Sequence, residues 1–194
     1  MAAAIEVLFS AGHAATTTVA VAKRARVSRG ALLHQFPTRT SLFTAVAHHI
    51  VAEQSRYRRE QIVELNAGKK RFYSAIEINW EVQKKPAALA MLEIMLASRN
   101  DRALRESLAS LIQNGDRLRR EAAKLAASDL GVDDIDTVDD MLQLHVAALR
   151  GLAIHLTVGR DPEAVERVRK LFTLYERRFA ADLMEKQKAK TIGR

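Results

Sequence analysis

The residues of this chain best suited to chemistry lie between Thr16 and Phe36, in the stretch TTTVAVAKRARVSRGALLHQF. Hydroxyls stand at Thr16, Thr17, Thr18 and Ser28, and cations at Lys23, Arg24, Arg26 and Arg29, with Arg39 just beyond. No Asp or Glu occurs anywhere from Val7 to Ala52. Soluble surfaces normally mix charge signs, so the missing carboxylates are more telling than the five bases. A face that carries cations and omits acids suits the dense phosphates of a nucleic-acid duplex. The stretch reads as two short helices joined by a tight turn, a helix-turn-helix module for DNA.

Other chemistries find no support in the residue pattern. His48 and His49 are adjacent and point to different sides of a helix. His145 and His155 are ten residues apart, roughly 15 Å along a helix axis. Neither pair has metal-ligand spacing, so no metal or other cofactor is expected. No Ser-His-Asp order, Gly-rich phosphate loop or convergent carboxylate pair stands out, and an enzyme is not expected.

At 194 residues the chain is long enough to bury a real core in one or two domains. It is Ala- and Leu-rich with eight Gly and three Pro, and few stretches alternate as half-buried strands do. These features predict an all-α fold. The net charge of +8 divides into +4 over residues 1–50 (five bases, one acid) and +4 over residues 51–194 (26 bases, 22 acids). The excess is therefore concentrated in the first quarter. There is no cysteine, which excludes disulfides and thiolate metal sites. No apolar run approaches the ~20 residues of a membrane span, and the Ala-rich start lacks the basic region of a signal peptide. The expected location is the cytoplasm.

The elements that must position these residues follow from caps and periodicity. Ile5, Leu8 and Phe9 fall at helical spacing and Gly12 ends that helix. Thr16 to Thr18 cap a helix over about 19–25, and Ser28 caps one to about Gln35. Phe36-Pro37 breaks the chain and Thr38 restarts it as a long helix carrying Leu42, Val46, Ile50, Glu53 and Tyr57 on one stripe. Its pattern fails at Asn66-Ala67-Gly68. Five more helices are expected beyond. The first carries Phe72, Ile76, Asn79, Trp80 and Gln83 on one side. The next, residues 87–98, is apolar nearly all round and predicts a central buried helix. A third bears a seam of Leu104, Leu108, Leu111, Gly115, Leu118, Ala122 and Leu125. Acidic residues 133–140 lead the fourth, and Asp161-Pro162 opens the last.

In register, several of these positions carry a family resemblance. Gly12, the Thr pair, Ala22, Ala25-x-Val27-Ser28, Gly30-Ala31-Leu32 and Phe36-Pro37-Thr38-Arg39 together resemble the DNA-binding domain of the TetR family of transcriptional repressors. The resemblance implies an N-terminal three-helix helix-turn-helix domain, residues 1–48 with the motif at about 17–36. A long helix would join it to a helical effector-binding and dimerisation domain, residues 49–188, ahead of a frayed tail at 189–194. It implies that Thr17, Thr18 and Ser28 meet phosphates with hydroxyl and backbone N–H. Arg29 would reach base edges or phosphate, Gly30 would keep the face low, and His34 would add a second contact. Thr38 and Arg39 open the next helix, with Arg39 as a phosphate clamp in place of the family's usual Lys.

Two residues depart from the pattern. Arg26 stands where the turn commonly has Gly, and a left-handed backbone there would cost about 1 kcal/mol. Leu33 replaces a Tyr, so a thymine methyl is its expected contact instead of a phosphate. With no basic arm ahead of the first helix in this sequence, these departures motivate an alternative: a helical interaction protein that has lost specific operator binding.

The resemblance further implies a small-molecule effector and a homodimer through the last two long helices. Ala147, Ala148 and Gly151 would admit a close helix neighbour, and Val165, Val168, Phe172, Tyr175 and Phe179 share one side. Pocket candidates are Phe72, Asn79, Trp80, Met91, Met95 and His145, although aromatic and Met residues at such spacing also make plain core. Their apolar character implies a hydrophobic or aromatic effector. The expected partners are thus double-stranded DNA, that effector and a second copy, with no membrane. The implied function is a ligand-responsive regulator, a repressor released from a palindromic operator.

Overall fold

A computed structural model describes residues 1–192. Among them are nine helices and no strand: α1 (Ala2–Ala15), α2 (Thr18–Ala25), α3 (Arg29–Gln35), α4 (Arg39–Val63), α5 (Lys69–Gln83), α6 (Pro86–Ser98), α7 (Arg102–Leu130), α8 (Ile135–Thr157) and α9 (Pro162–Ile192). The all-α expectation and the five helices beyond α4 are both met. The tail expected to fray from residue 189 is helical through Ile192, continuing α9. Its last two residues lie outside the described ones.

The chain packs as two compact units, Met1–Tyr57 with Lys84–Asn114, and Arg58–Gln83 with Gly115 onward. This partition differs from a cut between residues 48 and 49, because α6 and the first half of α7 cluster with α1 to α4. The first unit is built on Leu8, Val21, Leu32, Leu42, Phe43, Val46, Ile50, Ile94, Leu104 and Leu108, all buried. In it, α1 packs chiefly on α6 and α2. The second unit has two clusters, one around Phe72, Ile76, Ala123, Leu130, Val138 and Met141. The other surrounds Trp80, Leu149, Leu152 and Val165, with Phe172 packed against it.

Two expectations about burial are corrected. The helix at residues 87–98 is not buried all round. Ala88, Ala90 and Ile94 face the core of the first unit, whereas Met95 and Leu96 are exposed. The α7 seam holds only for Leu104, Leu108 and Leu111; thereafter Ala123, Ala126, Ala127 and Leu130 are buried and Leu125 is exposed. Residues 111 and 123 differ by about 120° around a helix of 3.6 residues per turn. A single straight seam cannot serve two clusters with that offset.

The tight turn between α2 and α3 ends in the expected left-handed residue. Arg26 has φ 57° and ψ 39°, the single positive φ at a non-glycine among the described residues. Its N–H reaches the Lys23 carbonyl at 3.3 Å, and the Val27 N–H reaches the Ala22 carbonyl at 3.1 Å. This paired closure terminates α2 and satisfies carbonyls that a helix end would leave open. A side chain in that conformation is strained, so Arg26→Gly is expected to raise unfolding stability by about 1 kcal/mol in a denaturant titration.

Candidate nucleic-acid interface and the helical core beyond it

Each short helix of the motif begins on a hydroxyl that holds an otherwise open N–H. Thr17 Oγ1 accepts from the Ala20 N–H at 3.1 Å. Ser28 Oγ accepts from the Ala31 N–H at 3.0 Å. At α4, Thr38 Oγ1 accepts from the Ser41 N–H at 2.9 Å, while Ser41 Oγ accepts from the Thr38 N–H at 3.1 Å. These caps fix three helix starts, each worth about 1 kcal/mol, and leave N–H groups at three positive helix ends open to anions.

The candidate contact residues share this surface. Thr17, Ser28, Arg29, Gly30, His34, Thr38 and Arg39 are exposed, and Thr18 and Leu33 are half-buried. Leu32 turns inward instead, anchoring α3 in the core. Lys23, Arg24 and Arg26 are exposed on α2 and its turn. Arg24 is paired with Glu6, the acid that immediately precedes the carboxylate-free run. At Gly30 an added Cβ would meet nothing closer than Ser28 Oγ at 3.9 Å, so the fold itself makes no demand for glycine there.

Arg39 occupies a place that sequence reasoning missed. Its Nε donates to the Thr16 carbonyl at 3.1 Å, and its Nη2 donates to the carbonyls of His13 and Ala14. The guanidinium also lies over the Phe43 ring, 5.0 Å from the centroid. Thus the expected phosphate clamp is also a clasp on the negative end of α1. Beside it, Gly12 breaks α1 with φ 74° and ψ 173°. The His13 N–H freed by that break donates to Glu93 Oε2 on α6 at 2.8 Å. Thr16, fully buried, donates to the Gly12 carbonyl at 2.7 Å. Nothing in local sequence marks Glu93 as the partner, because it lies 80 residues away.

Residues 1–46 match the family model described as bacterial regulatory proteins, tetR family. The N-terminal segment is that of the TetR family. It is 28% identical over 171 residues to the HTH-type transcriptional regulator CymR of Pseudomonas putida, covering 87% of this chain and 83% of CymR. An uncharacterised HTH-type transcriptional regulator of Mycobacterium tuberculosis is 27% identical over 110 residues, 57% of this chain and 56% of that protein. The chain thus spans little more than half the length of that relative. A proposed TetR-family regulator from Rhodococcus sp. has a similar fold, with a TM-score of 0.67 at 20% identity over 94% of this chain and 95% of that one.

The pocket candidates do not all come together. Met91 packs against the core of the first unit and Met95 is exposed there. Phe72, Asn79, Trp80 and His145 lie in the second unit. Phe72 is buried in one cluster and Trp80 in the other. Asn79 Oδ1 accepts from Arg58 Nε at 2.9 Å. His145 Nδ1 lies 2.5 Å from Glu176 Oε1, tying α8 to α9, with its ring 5.7 Å from that of Phe172. His145 Nε2 and Glu176 Oε2 are buried and have no hydrogen-bond partner among the described residues. A groove of about 570 Å³ opens along α8 and α9, lined by Met141, Leu144, Phe172, Tyr175, Glu176 and Phe179 among others. Among the described residues no cluster of three or more His, Cys, Asp or Glu is placed to hold a metal. No helix among those residues is long and apolar enough to cross a membrane.

Gly30→Ala is expected to leave the melting temperature unchanged and weaken binding to duplex DNA several-fold. Arg39→Ala is expected to lower both, because two helix ends lose their tie; an unchanged melting temperature would reduce Arg39 to a surface cation. A pH effect follows from His13. Burial, and next the Arg39 cation, hold its imidazole below the usual 6.5. The folded state therefore favours neutral His13, and its contribution to stability is full above that value and lost as pH falls through the lower folded pKa. Melting curves should show this acid-side loss, and His13→Gln should flatten it.

Proposed function

We propose that the chain is a dimeric, effector-responsive DNA-binding regulator of transcription that acts as a repressor. The observation that carries this reading is the stretch from Val7 to Ala52, which has no carboxylate of its own and holds the capped starts of α2, α3 and α4 with the exposed Arg29, His34 and Arg39. Residues 1–48 would be the DNA-binding part. Arg29 is the base reader, suited by its planar fork to guanine O6 and N7. Leu33 offers an apolar contact to a thymine methyl. Thr17, Thr18, Ser28 and Thr38 position the backbone on phosphates, and Arg39 joins them with whatever donor capacity its clasp leaves free.

Two copies are needed to place two recognition helices in successive major grooves, about 34 Å apart. An unpartnered apolar face on the last two helices supports that assembly. Leu144 is 65% exposed, Leu174 62% and Tyr175 66%, with Leu171 and Phe179 beside them. Pairing this face with its symmetry mate gives an isologous four-helix contact and covers the groove along α8 and α9. Residues 49–188 would carry the effector site, with Phe72, Asn79, Trp80 and His145 in the second unit as its candidates. Helices α4 and α7 contribute residues to both units, so a strain at one end has a continuous backbone along which to act. An effector that favours a different spacing of the recognition helices then lowers operator affinity. The expected location is the cytoplasm, where the DNA is, and the reading assigns no enzymatic step.

Selection from a randomised duplex library at moderate salt tests the reading. A palindrome should be recovered, with affinity falling steeply as salt rises. Leu174→Glu should yield monomers in sedimentation and lose the palindrome while keeping its fold. Absence of any enriched sequence, with binding abolished by modest salt, would leave a helical interaction protein with a basic face.

A further inference from the structure

The second unit holds half-buried arginines in two ways. Arg71 meets Asp129 with two 2.7 Å bonds, Nε to Oδ2 and Nη2 to Oδ1. Arg169 bridges Glu77 and Glu166, each at 2.7 Å, and Arg119 pairs with Asp139. In each case a carboxylate offsets the loss of water around the cation, and each of these guanidiniums is held above its usual pKa. Arg58 of α4 is different. It is half-buried, and its one hydrogen-bond partner among the described residues is a neutral amide, Asn79 Oδ1 at 2.9 Å. Burial pushes its guanidinium below the usual pKa, and no acid acts in the other direction.

A desolvated cation without a counter-ion is unfavourable, and a bound anion would supply the missing partner. The neighbouring groups are donors. Because Asn79 Oδ1 faces Arg58, its Nδ2 hydrogens are left to donate. Gln83 is one helical turn further along the same face of α5, roughly 6 Å on. It is only 7% exposed, a polar side chain turned into the protein. Between them in register stands Trp80, buried in an apolar cluster.

We propose that Arg58, Asn79 and Gln83 form the anion-recognising end of the effector site, and that the effector is a carboxylate on an apolar or aromatic body. This rests on the reading of the second unit as effector-binding. One guanidinium with two free Nη groups matches a singly charged, planar carboxylate in a two-point contact. A phosphate dianion would be left half-neutralised. The carboxylate supplies the missing counter-charge, and an apolar body suits the Trp80 surroundings.

Trp80 is the single tryptophan, so its fluorescence reports on the full-length dimer directly. The probes are phenylacetate and cyclohexanecarboxylate, each against its primary amide, with phenylphosphonate as the alternative anion. The acids should bind at least tenfold more tightly than the amides. Arg58→Gln should abolish that preference without lowering the melting temperature, since it removes an unpaired charge. Arg58→Lys should retain part of it, and Gln83→Leu should weaken the acids several-fold while leaving the amides unchanged. Equal binding of acids and amides, a preference that survives Arg58→Gln, tighter binding of phenylphosphonate, or no acid binding at millimolar concentration would each overturn the proposal. The two readings separate at the DNA. Acids that bind through Arg58 without releasing a selected operator remove the effector role and leave the anion site. Release by neutral or cationic compounds alone does the reverse.

Discussion

The arrangement of α2, α3 and α4 depends on how the chain handles the end of α1. A helix terminus exposes carbonyls that nothing in the helix can satisfy, and Gly12 adds a break that frees the His13 N–H three residues before the helix closes. These groups are met from two directions. Arg39, the first residue of α4, donates to the carbonyls of His13, Ala14 and Thr16. Glu93 of α6 accepts from the His13 N–H. Three helices distant in sequence are thereby tied to one turn of backbone, and the motif that follows is launched from it. The charges also suit their positions, with a cation on a helix C-terminus and a carboxylate on a freed N–H.

That junction also shows how far the sequence could be read. Caps are local, so Thr17, Ser28 and Thr38 announced their helices, and Arg26 announced a strained left-handed turn. The absence of acids from residues 7 to 52 is equally a property of sequence alone. Arg39 was legible as a cation at a helix start, but its acceptors are carbonyls, which every residue has and no side-chain pattern reveals. Glu93 was invisible for a different reason: its partner is a backbone N–H exposed only because Gly12 takes a positive φ.

The helical core was legible in number and order and not in facing. Residues 87–98 are apolar nearly all round, yet the helix has one face in a core and another left exposed. An evenly spaced seam on α7 looked continuous, although the buried positions shift between Leu111 and Ala123 to serve two clusters. Spacing counts residues and cannot tell which of two apolar stripes is buried. The same limit scattered the pocket candidates. Met91 and Met95 share the apolar character of Phe72 and Trp80, yet they lie in a different unit.

Charge placement separates the two units' tasks more sharply than hydrophobicity does. On α2, α3 and the turn between them Arg24 pairs with Glu6, while Lys23, Arg26 and Arg29 stand exposed to water, where a charge costs little and a polyanion binds by displacing counter-ions. Inside the second unit the environment reverses that economy, so Arg71, Arg119 and Arg169 each hold an acid. Arg58 breaks the rule with an amide for a partner. A fold under no functional demand could remove that charge and lose only one hydrogen bond. Its presence beside Asn79 and one further amide on α5, Gln83, is the kind of local inconsistency that marks a site rather than a packing solution.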